Sequence, residues 1–418
     1  MNSKQTFAKT IPKEWRLVKL GDIVEDILTG ATPSRGKKEY WKNGSIPWLT
    51  NNEVSEEIIN YIYDTKEKVT EKALRETNIK LIPPNSLILS LTASVGKVAI
   101  NKVPITTNQQ FNTLILKRSV IAEFLGYYLI FSKKRIEQLG GSTTFKFISK
   151  ETIKSFLIPL PPLPEQKAIA NILSTVDEAI QKVDEVIAKT ERLKKGLMQK
   201  LLTRGIGHKE FKYSKELGCG IPKEWKVVKL GDVTEIVMGQ SPPGNTYNEK
   251  GEGIPLINGP SEFGEKYPVK VKWTTNPTKT TIGNDVLICV RGHTTGRLNM
   301  SDGIYCIGRG VAAIRGLKNR ISNFFIYYML EKFQNKIFQQ SYAAGSTFPN
   351  ITYSGLQNIK IPLPPLPEQQ KIAEILSTVD KKLELEKKRK EKLERIKKGL
   401  MNDLLTGRKR VRLSDWKT

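Results

Sequence analysis

An internal repeat constrains the fold of this chain more than any other feature of its sequence. The segment IPKEWRLVKLGDIVE at residues 11–25 returns as IPKEWKVVKLGDVTE at 221–235, with 11 of 15 positions identical. The proline-rich segment IPLPPLPEQKAIANILSTVD at 158–177 returns at 361–380 with 17 of 20 positions identical. Because repeated sequence marks repeated structure, the chain should contain two copies of one architecture.

Each copy has an opening motif, a long variable stretch, a proline-rich hinge and a charged segment. The variable stretches mix strand-like runs with short helical ones, which predicts α+β (mixed α/β) globules. Because the repeated motifs are alike and the variable stretches between them differ, we expect one scaffold that presents two different reading surfaces. A plain duplication, in which both domains have the same role, is an alternative. The predicted segments are a first domain at 1–157, a hinge and helix at 158–205, a second domain at 206–360, a hinge and helix at 361–410, and a tail at 411–418.

A seven-residue apolar repeat follows each hinge, with Lys and Glu beside it, as in the seam of a coiled coil. Pro164 and Pro367 suit first helical turns, and Gly205 and Gly407 suit left-handed C-terminal positions. Each helix should be on the order of 60 Å long. The predicted packing positions are Ile169, Leu173, Val176, Ile180, Val183, Ile187, Gly196 and Leu197 in the first helix, and Ile372, Leu376, Val379, Leu383, Leu393, Gly399 and Leu400 in the second.

Two equivalent helices in one chain can bury their seams against each other. A pseudo-twofold axis would make the helices antiparallel and would relate the two globular domains that they separate. Gly196 and Gly399 occupy the same place in the two copies, where a glycine inside a helix costs roughly 1 kcal/mol relative to alanine. We expect close backbone approach at these glycines; a slack helix end is the alternative. The middle of the second helix, LELEKKRKEKLERIKK, is more charged and predicts a weaker seam.

The charge of the chain indicates a polyanionic partner. With 68 Lys+Arg against 42 Asp+Glu, the formal net charge is +26, so nucleic acid is the first expectation and an anionic membrane the second. A lysine-rich surface that only confers solubility is the alternative. Three cysteines and two histidines offer little for a disulfide framework or a metal site. The absence of a signal-like start and of a long apolar run predicts a soluble, cytoplasmic protein.

Loops with small polar residues beside cations or amides are the candidate DNA contacts. Asn and Gln side chains suit adenine and Arg side chains suit guanine in a major groove, while Lys and Thr suit phosphates. The turns ending in Gly96-Lys97 and Gly296-Arg297 fit this pattern, although ordinary hairpins would read the same way. The candidates are Arg35, Lys37, Lys38, Thr92, Ser94, Lys97, Asn108, Gln109, Gln110, Thr143, Thr144 and Lys146 in the first domain, and Arg291, His293, Thr294, Thr295, Arg297, Arg309, Ser346 and Thr347 in the second.

Motifs for catalysis are missing from the sequence. The fragment nearest to a P-loop, at residues 94–98, lacks the first glycine and the hydroxyl residue that the motif needs. The Pro-Pro pairs stand in IPPN, LPPL and SPPG, none of which is the Asn/Asp-Pro-Pro-aromatic tetrapeptide of an adenine methyltransferase. We therefore expect no catalytic site, no metal site and no cofactor on this chain. A nuclease or methyltransferase with an unfamiliar site is a less favoured alternative, as is a coiled-coil scaffold for acidic partners or membranes.

The repeated frames resemble those of a known family. Two variable stretches, each opened by IPKEW and LGD and closed by IPLPPLPEQ and a helix ending in KKGLM and LLT, look like the specificity (S) subunit of type I restriction-modification enzymes. The resemblance covers essentially the whole chain. It implies that the variable stretches are target-recognition domains, one for each half of a bipartite, asymmetric DNA target. The helices would then be the spacer between them, with a gap near one turn of DNA.

The same resemblance implies the partners of the chain. Two methyltransferase (M) subunits would dock on the helices, bind S-adenosylmethionine and methylate adenine. Separate restriction (R) subunits would move along and cut DNA using ATP, so S-adenosylmethionine, ATP and Mg²⁺ are expected on partners. No base-contacting residue carries over from the family, because the reading loops are where its members differ.

Overall fold

The protein divides into two compact units, each described here by itself. The first unit is Met1–Asp184 with Lys388–Thr418, and the second is Glu185–Lys387. Both divisions fall inside long helices, so each unit combines one variable region with one half of each helix. The mixture of helices and strands confirms the α+β class, while the five segment boundaries stay a prediction. The computed structural model describes residues 11–92, 95–140, 148–341 and 349–411.

The first unit is built on a five-stranded sheet in the order β2-β9-β6-β7-β4, beside a three-stranded sheet β5-β3-β8 and the pair β1-β10. The strands are β1 (Arg16–Lys19), β2 (Val24–Thr29), β3 (Ile46–Leu49), β4 (Ile59–Ile62), β5 (Glu67–Val69), β6 (Leu87–Ser90), β7 (Val98–Asn101), β8 (Thr106–Thr107), β9 (Phe111–Leu116) and β10 (Leu157–Leu160). The helices are α1 (Leu20–Ile23), α2 (Glu71–Glu76), α3 (Ala122–Phe131), α4 (Lys133–Leu139), α5 (Lys150–Lys154) and α6 (Leu163–Arg204), whose second half belongs to the other unit.

The core of the first unit joins the sheet to the long helices. Strands β6 and β7 form the predicted antiparallel hairpin, and every residue of both strands is buried. Phe124 on α3 packs in the same cluster as Ile169 and Leu173 at the start of α6. Full burial of such side chains contributes about 1.5–3 kcal/mol each. The first turns of α6 are therefore held by the domain core as well as by the other long helix.

The second unit repeats this plan with two four-stranded sheets, β14-β21-β18-β19 and β15-β17-β16-β20, and the pairs β11-β12 and β13-β22. The strands are β11 (Phe211–Ser214), β12 (Cys219–Pro222), β13 (Lys226–Lys229), β14 (Thr234–Met238), β15 (Tyr247–Asn248), β16 (Ile254–Ile257), β17 (Trp273–Thr274), β18 (Val286–Cys289), β19 (Leu298–Met300), β20 (Cys306–Ile307), β21 (Val311–Gly316) and β22 (Lys360–Leu363). The helices are α7 (Leu230–Val233), α8 (Asn323–Ser341), α9 (Tyr353–Gln357) and α10 (Leu366–Leu404), which ends in the first unit.

The ends of the two long helices lie where the sequence predicts them. Pro164 and Pro367 are the second residues of α6 and α10, where a missing N–H costs no hydrogen bond. Gly205 and Gly407 follow the helices with φ of +62° and +72°, a conformation that glycine adopts without a steric penalty. The predicted helix boundaries are therefore confirmed to within a few residues.

Burial along the helices follows the predicted seam only in part. Most seam residues in the first half of each helix are buried, while the charged middle of α10 leaves Leu385 67% exposed. The buried positions are Ile169, Leu173, Ile180, Val183, Ile372, Leu376 and Leu383. The half-buried positions are Val176, Ile187, Leu197, Val379, Leu393 and Leu400.

The expected close approach at Gly196 and Gly399 is wrong. Both glycines are exposed, and a Cβ atom added to either would meet nothing within 4 Å. Both positions face away from the packed side of their helices, so no backbone contact there requires a glycine. The repetition of these two residues therefore has no packing explanation in the structure.

Candidate nucleic-acid interface

Loops of the first unit gather at one edge, where β3 and β8 end side by side. These strands are parallel, with Leu49 opposite Thr107. The Asn108 N–H donates to the Leu49 carbonyl at 3.1 Å, and the Ala31 N–H donates to the Thr107 carbonyl at 3.0 Å. The turn at residues 108–110 is thereby fixed between the loop after β2 and the loop after β3.

The loop between β6 and β7 joins the same edge. The Leu91 N–H and the Thr92 hydroxyl both donate to the Gln110 carbonyl, each at 3.3 Å. At the end of the loop, the Lys97 ammonium donates to the Asn51 carbonyl at 3.0 Å. The structure therefore brings Thr92, Lys97 and Gln110 together, but it uses their polar groups to brace the loops.

Within the 108–110 turn, only the middle side chain is exposed. Asn108 is 8% exposed, and its side-chain amide donates to Gln110 Oε1 at 3.1 Å while its Oδ1 accepts from the Gln110 N–H at 3.1 Å. Gln109 is exposed, and its Oε1 accepts a hydrogen bond from the Thr32 hydroxyl. The turn thus presents the amide of Gln109 to solvent in an orientation set by Thr32.

Arg35 has its charge satisfied inside the first unit. Its guanidinium forms an ion pair with Glu67 through two N–H groups, one of them at 2.9 Å from Oε2. The same group lies 3.9 Å from the ring centroid of Trp41. Hydrogen bonding to Glu67 raises the pKa of Arg35 and correspondingly lowers the pKa of Glu67. Arg35 would need to exchange this partner before it could contact a phosphate.

Lys37 and Lys38 are exposed at the far end of the loop after β2. The Lys37 ammonium donates to the Tyr40 hydroxyl at 3.2 Å, and this bond raises the pKa of Lys37. Lys38 opens a single 3₁₀ turn, Lys38–Tyr40. Both side chains are therefore accessible to an anion, as a phosphate contact requires.

The second unit builds the same edge from its own residues. Strands β16 and β20 are parallel, with Ile257 opposite Ile307. The Gly308 N–H donates to the Ile257 carbonyl at 2.8 Å, and the Gln240 N–H donates to the Ile307 carbonyl at 2.9 Å. These are the counterparts of the bonds that fix the 108–110 turn, so residues 308–310 form the matching turn.

Thr295 and Arg297 brace the loop between β18 and β19. Thr295 is 3% exposed, and its hydroxyl donates to the Gly292 carbonyl at 2.6 Å. The Arg297 guanidinium donates to the Phe263 carbonyl at 3.4 Å, much as Lys97 holds a neighbouring carbonyl in the first unit. Thr295 shapes the loop from the inside, whereas Arg297 is exposed at its surface.

The remaining candidates of the second unit are more accessible than Thr295. Arg291, His293 and Arg309 are exposed, and Thr294 is half-buried. Burial raises the pKa of the neighbouring Cys289 thiol to about 12, against smaller opposing effects of Arg297 and a hydrogen bond from Thr294. With Arg297, four exposed side chains, three of them cationic, thus lie in or beside the loops that meet at this edge.

Buried ion pairs join the two long helices within the first unit. The Lys397 ammonium lies 2.6 Å from Asp177 Oδ1, and both side chains are at most 10% exposed. The Tyr127 hydroxyl donates to Asp177 Oδ2 at 2.9 Å. A second ion pair, at 2.6 Å, joins Lys390, which lies seven residues before Lys397, to Asp184, which lies seven residues after Asp177. This pairing order makes α6 and α10 antiparallel in the first unit.

The second unit contains the matching ion pair with the helices exchanged. Here Lys194 on α6 pairs with Asp380 on α10 at 2.8 Å and with Glu331 at 2.9 Å. The Tyr328 hydroxyl donates to Asp380 at 2.6 Å. Burial lowers the pKa of Lys194, but the carboxylates of Glu331 and Asp380 outweigh it and raise that pKa above its ordinary value. The Lys266 ammonium, 3.7 Å from Asp380, completes the cluster.

Comparison with known proteins shows which family has this combination of repeated domains and paired helices. Residues 12–191 and 222–395 match the family described as type I restriction modification DNA specificity domain. The chain belongs to this family of type I specificity subunits. The two matches cover most of the chain, and each spans one variable region with part of the helix that follows it. Two DNA specificity domains in one chain confirm the function predicted from the repeated motifs.

Relatives of this specificity subunit match it over nearly the full length. The MjaX specificity subunit of Methanocaldococcus jannaschii, assigned by its name to the type I restriction enzymes, is 37% identical over 98% of this chain and 97% of its own length. The type I restriction enzyme MjaIX specificity subunit of the same organism is 30% identical over 98% and 96%. The solved S subunit from M. genitalium has a TM-score of 0.64 at 20% identity over 94% and 96%, which shows the shared fold.

Sequence reasoning did not identify the buried ion pairs of this specificity subunit. Their signal was nevertheless present, because Asp177 and Asp380 are the final residues of the two repeated hinge segments. Lys194 and Lys397 likewise occupy one position in the repeated KKGLM motif. A charge that both copies keep beside an apolar seam indicates a buried partner. Thr32 and Ser241, which hold the loop turns, also stand in a short repeated frame, a glycine two residues before and a proline directly after.

Part of the prediction falls on residues that the structure leaves out. Across 11–92, 95–140, 148–341 and 349–411, no group of three or more His, Cys, Asp or Glu residues is placed to hold a metal ion. Within those same ranges, no helix is long and apolar enough to cross a membrane. The candidates that lie outside the described residues are Ser94, Thr143, Thr144, Lys146, Ser346 and Thr347.

Proposed function

We propose that each domain of this specificity subunit recognises one half of a bipartite, asymmetric DNA target. The observation that supports the proposal most directly is the gathering of several loops at one edge of each domain, on equivalent backbone frames. The frames are alike, but the side chains on them differ: the first edge carries Lys37, Lys38 and Gln109, and the second carries Arg291 and Arg309. Two domains with different reading side chains require two different half-sites.

The long helices serve, in this proposal, as the spacer between the half-sites and as the docking surface for two methyltransferase subunits. Support comes from the buried ion pairs, which fix the register of the helices within each unit. A rigid register suits a spacer, because a gap measured along DNA must not vary by more than a fraction of a helical turn. Restriction subunits complete the assembly as further partners.

The chain contributes recognition and no chemistry of its own. We propose that S-adenosylmethionine binds to the methyltransferase subunits and that ATP and Mg²⁺ act on partners as well. The described residues that approach DNA in this proposal are cations, amides and hydroxyls, which suit binding to phosphates and base edges. Turnover by the purified chain with DNA, S-adenosylmethionine and Mg²⁺, but without partners, would contradict this assignment.

Exchange of one domain tests the half-site proposal. Residues 26–157 are replaced by the corresponding domain of another specificity subunit, and the target is determined by selection from a random-sequence library. We expect one half of the target to change and the other half and the gap to stay. Changes in both halves would contradict independent reading. Equal binding to every polyanion, with no preferred sequence, would instead favour a scaffold for acidic partners.

Changing the length of the helices tests the spacer proposal. A four-residue insertion between Asp177 and Glu191 adds about 6 Å to one helix, and a matching insertion in the second helix keeps the pairing of the two. We expect the paired insertion to change the gap between half-sites while leaving both half-site sequences unaltered. Altered base preferences at an unaltered gap would contradict the spacer role.

A further inference from the structure

The two turns at residues 108–110 and 308–310 are built on one backbone frame. In the first unit the turn closes with the Phe111 N–H donating to the Asn108 carbonyl at 3.2 Å, and in the second the Val311 N–H donates to the Gly308 carbonyl at 3.0 Å. Each turn follows a strand of a parallel pair and leads into an inner strand of a larger sheet, β9 or β21. Gln109 and Arg309 are therefore equivalent positions in the two domains.

The frame directs only these two side chains outward. Gln109 and Arg309 are exposed, while both residues that flank each of them are buried or half-buried. The flanking side chains of the first turn are bonded to each other, and the flanking residues of the second are glycines, Gly308 and Gly310. Each domain thus presents one long polar side chain at the tip of its turn.

A hydroxyl residue steadies the turn in each domain, at the same place in the loop before it. The Thr32 hydroxyl donates to Gln109 Oε1, and the Ser241 hydroxyl accepts from the Arg309 N–H at 3.2 Å. The two hydroxyl residues match because the residue before each, Ala31 or Gln240, donates its N–H to the strand next to the turn. The side chain of Gln109 and the backbone of Arg309 are thereby held in place before any ligand binds, which lowers the entropy cost of binding.

The two exposed side chains have hydrogen-bonding groups that suit two different bases. A Gln amide can accept from N6 and donate to N7 of adenine, and an Arg guanidinium can donate to both O6 and N7 of guanine. Gln109 Oε1 has a second lone pair beside the one that Thr32 occupies. Among the residues that the structure describes, neither the Gln109 Nε2 nor the Arg309 guanidinium has a hydrogen-bond partner, whereas the guanidinium of Arg297 is engaged with the Phe263 carbonyl.

We propose that Gln109 and Arg309 are the equivalent base-reading residues of the two domains, with Gln109 selecting adenine in one half-site and Arg309 selecting guanine in the other. This inference rests on the proposed function, since it requires that each domain reads one half-site. The middle residue of the turn, which occurs once in each domain, would then select a different base in each half-site. Thr32 is a positioning residue for Gln109, because it contacts the amide and no base.

Two reciprocal substitutions test the inference. The full chain, purified alone and again with its methyltransferase partners, carries Gln109→Arg or Arg309→Gln, and bound sequences are selected from a random-sequence DNA library at fixed salt. Gln109→Arg should change one position of one half-site from adenine to guanine. Arg309→Gln should change one position of the other half-site from guanine to adenine. Each change should amount to roughly 5- to 150-fold in relative affinity, the range of one bidentate base contact.

Matched controls separate base reading from charge and from folding. Gln199→Arg and Arg395→Gln make the same changes at exposed helix positions, so in the chain purified alone they should alter salt-dependent affinity without altering base preference. Arg309→Lys keeps the charge but loses the planar fork, so guanine preference should fall at that one position. Thr32→Val should weaken the adenine preference without moving it. Circular dichroism melting of every variant confirms that it is folded.

The outcomes distinguish failure of the inference from failure of the proposed function. If the wild-type chain selects a bipartite target and the reciprocal substitutions leave every base preference unchanged, the inference is overturned and the proposed function stands. A single substitution that alters both half-sites would overturn it as well. If the wild-type chain selects no target in either preparation, the proposed function is overturned, and the inference that rests on it is overturned as well.

Discussion

Replacing Lys397 with methionine tests whether a buried ion pair holds the two long helices in register. Lys397 lies 2.6 Å from Asp177, and the side chains are 10% and 8% exposed. The substitution keeps most of the length of the side chain and removes its charge, so Asp177 keeps the Tyr127 hydroxyl, which donates to it at 2.9 Å. Loss of one partner of a buried pair costs about 3–5 kcal/mol. Since the tyrosine remains, we expect the lower value, about 3 kcal/mol.

Urea unfolding of the full chain, followed by circular dichroism, measures this loss. The control is Lys189→Met, which removes an ion pair with Glu185 on the surface of α6, the helix that carries Asp177, where both side chains are 68% exposed. That pair should contribute less than about 0.5 kcal/mol. Adding Asp177→Asn to the Lys397 variant should recover part of the loss, because no unpaired charge stays buried. If Lys397→Met destabilises no more than the control, the ion pair does not hold the helices.

Two further predictions concern glycines and a cysteine. Gly196→Ala and Gly399→Ala should each stabilise the protein by about 0.5–1 kcal/mol, measured by urea unfolding, because an added Cβ meets nothing and alanine favours the helix; destabilisation would show a contact at that helix face. Cys289 should resist alkylation by iodoacetamide at pH 8, while the half-buried Cys219 reacts first. Since burial raises the pKa of the Cys289 thiol to about 12, its reactive thiolate forms only as pH rises toward that value; equal labelling of the two would contradict this.

Interactions between residues close in sequence made much of the fold predictable. Pro164 and Pro367 mark the first helical turns because proline lacks an N–H that would need a partner there. Gly205 and Gly407 mark the helix ends because glycine adopts a positive φ without strain. The hairpin of β6 and β7 depends on two apolar runs around a polar turn. The internal repeat extends each of these local predictions to a second copy of the architecture.

The candidate site was predictable only as a set of loops. The sequence places Asn108, Gln109 and Gln110 side by side as three equivalent amides. In the structure, Asn108 and Gln110 bond to each other, and only Gln109 remains exposed. The expectation for Gly196 failed for a related reason, since a repeated glycine indicates a constraint but does not say on which face of the helix a contact lies.

What the sequence determined by itself was the duplication, the helix bounds, the strand hairpins and the excess of positive charge. Only the tertiary structure decided which polar groups are bonded inside the domains and which remain exposed. Trp15 and Arg410 both donate to Glu165, although they lie 150 and 245 positions away from it. Backbone conformation is set by neighbouring residues, whereas the partner of a buried charge is set by the packing of distant segments, which no local pattern records.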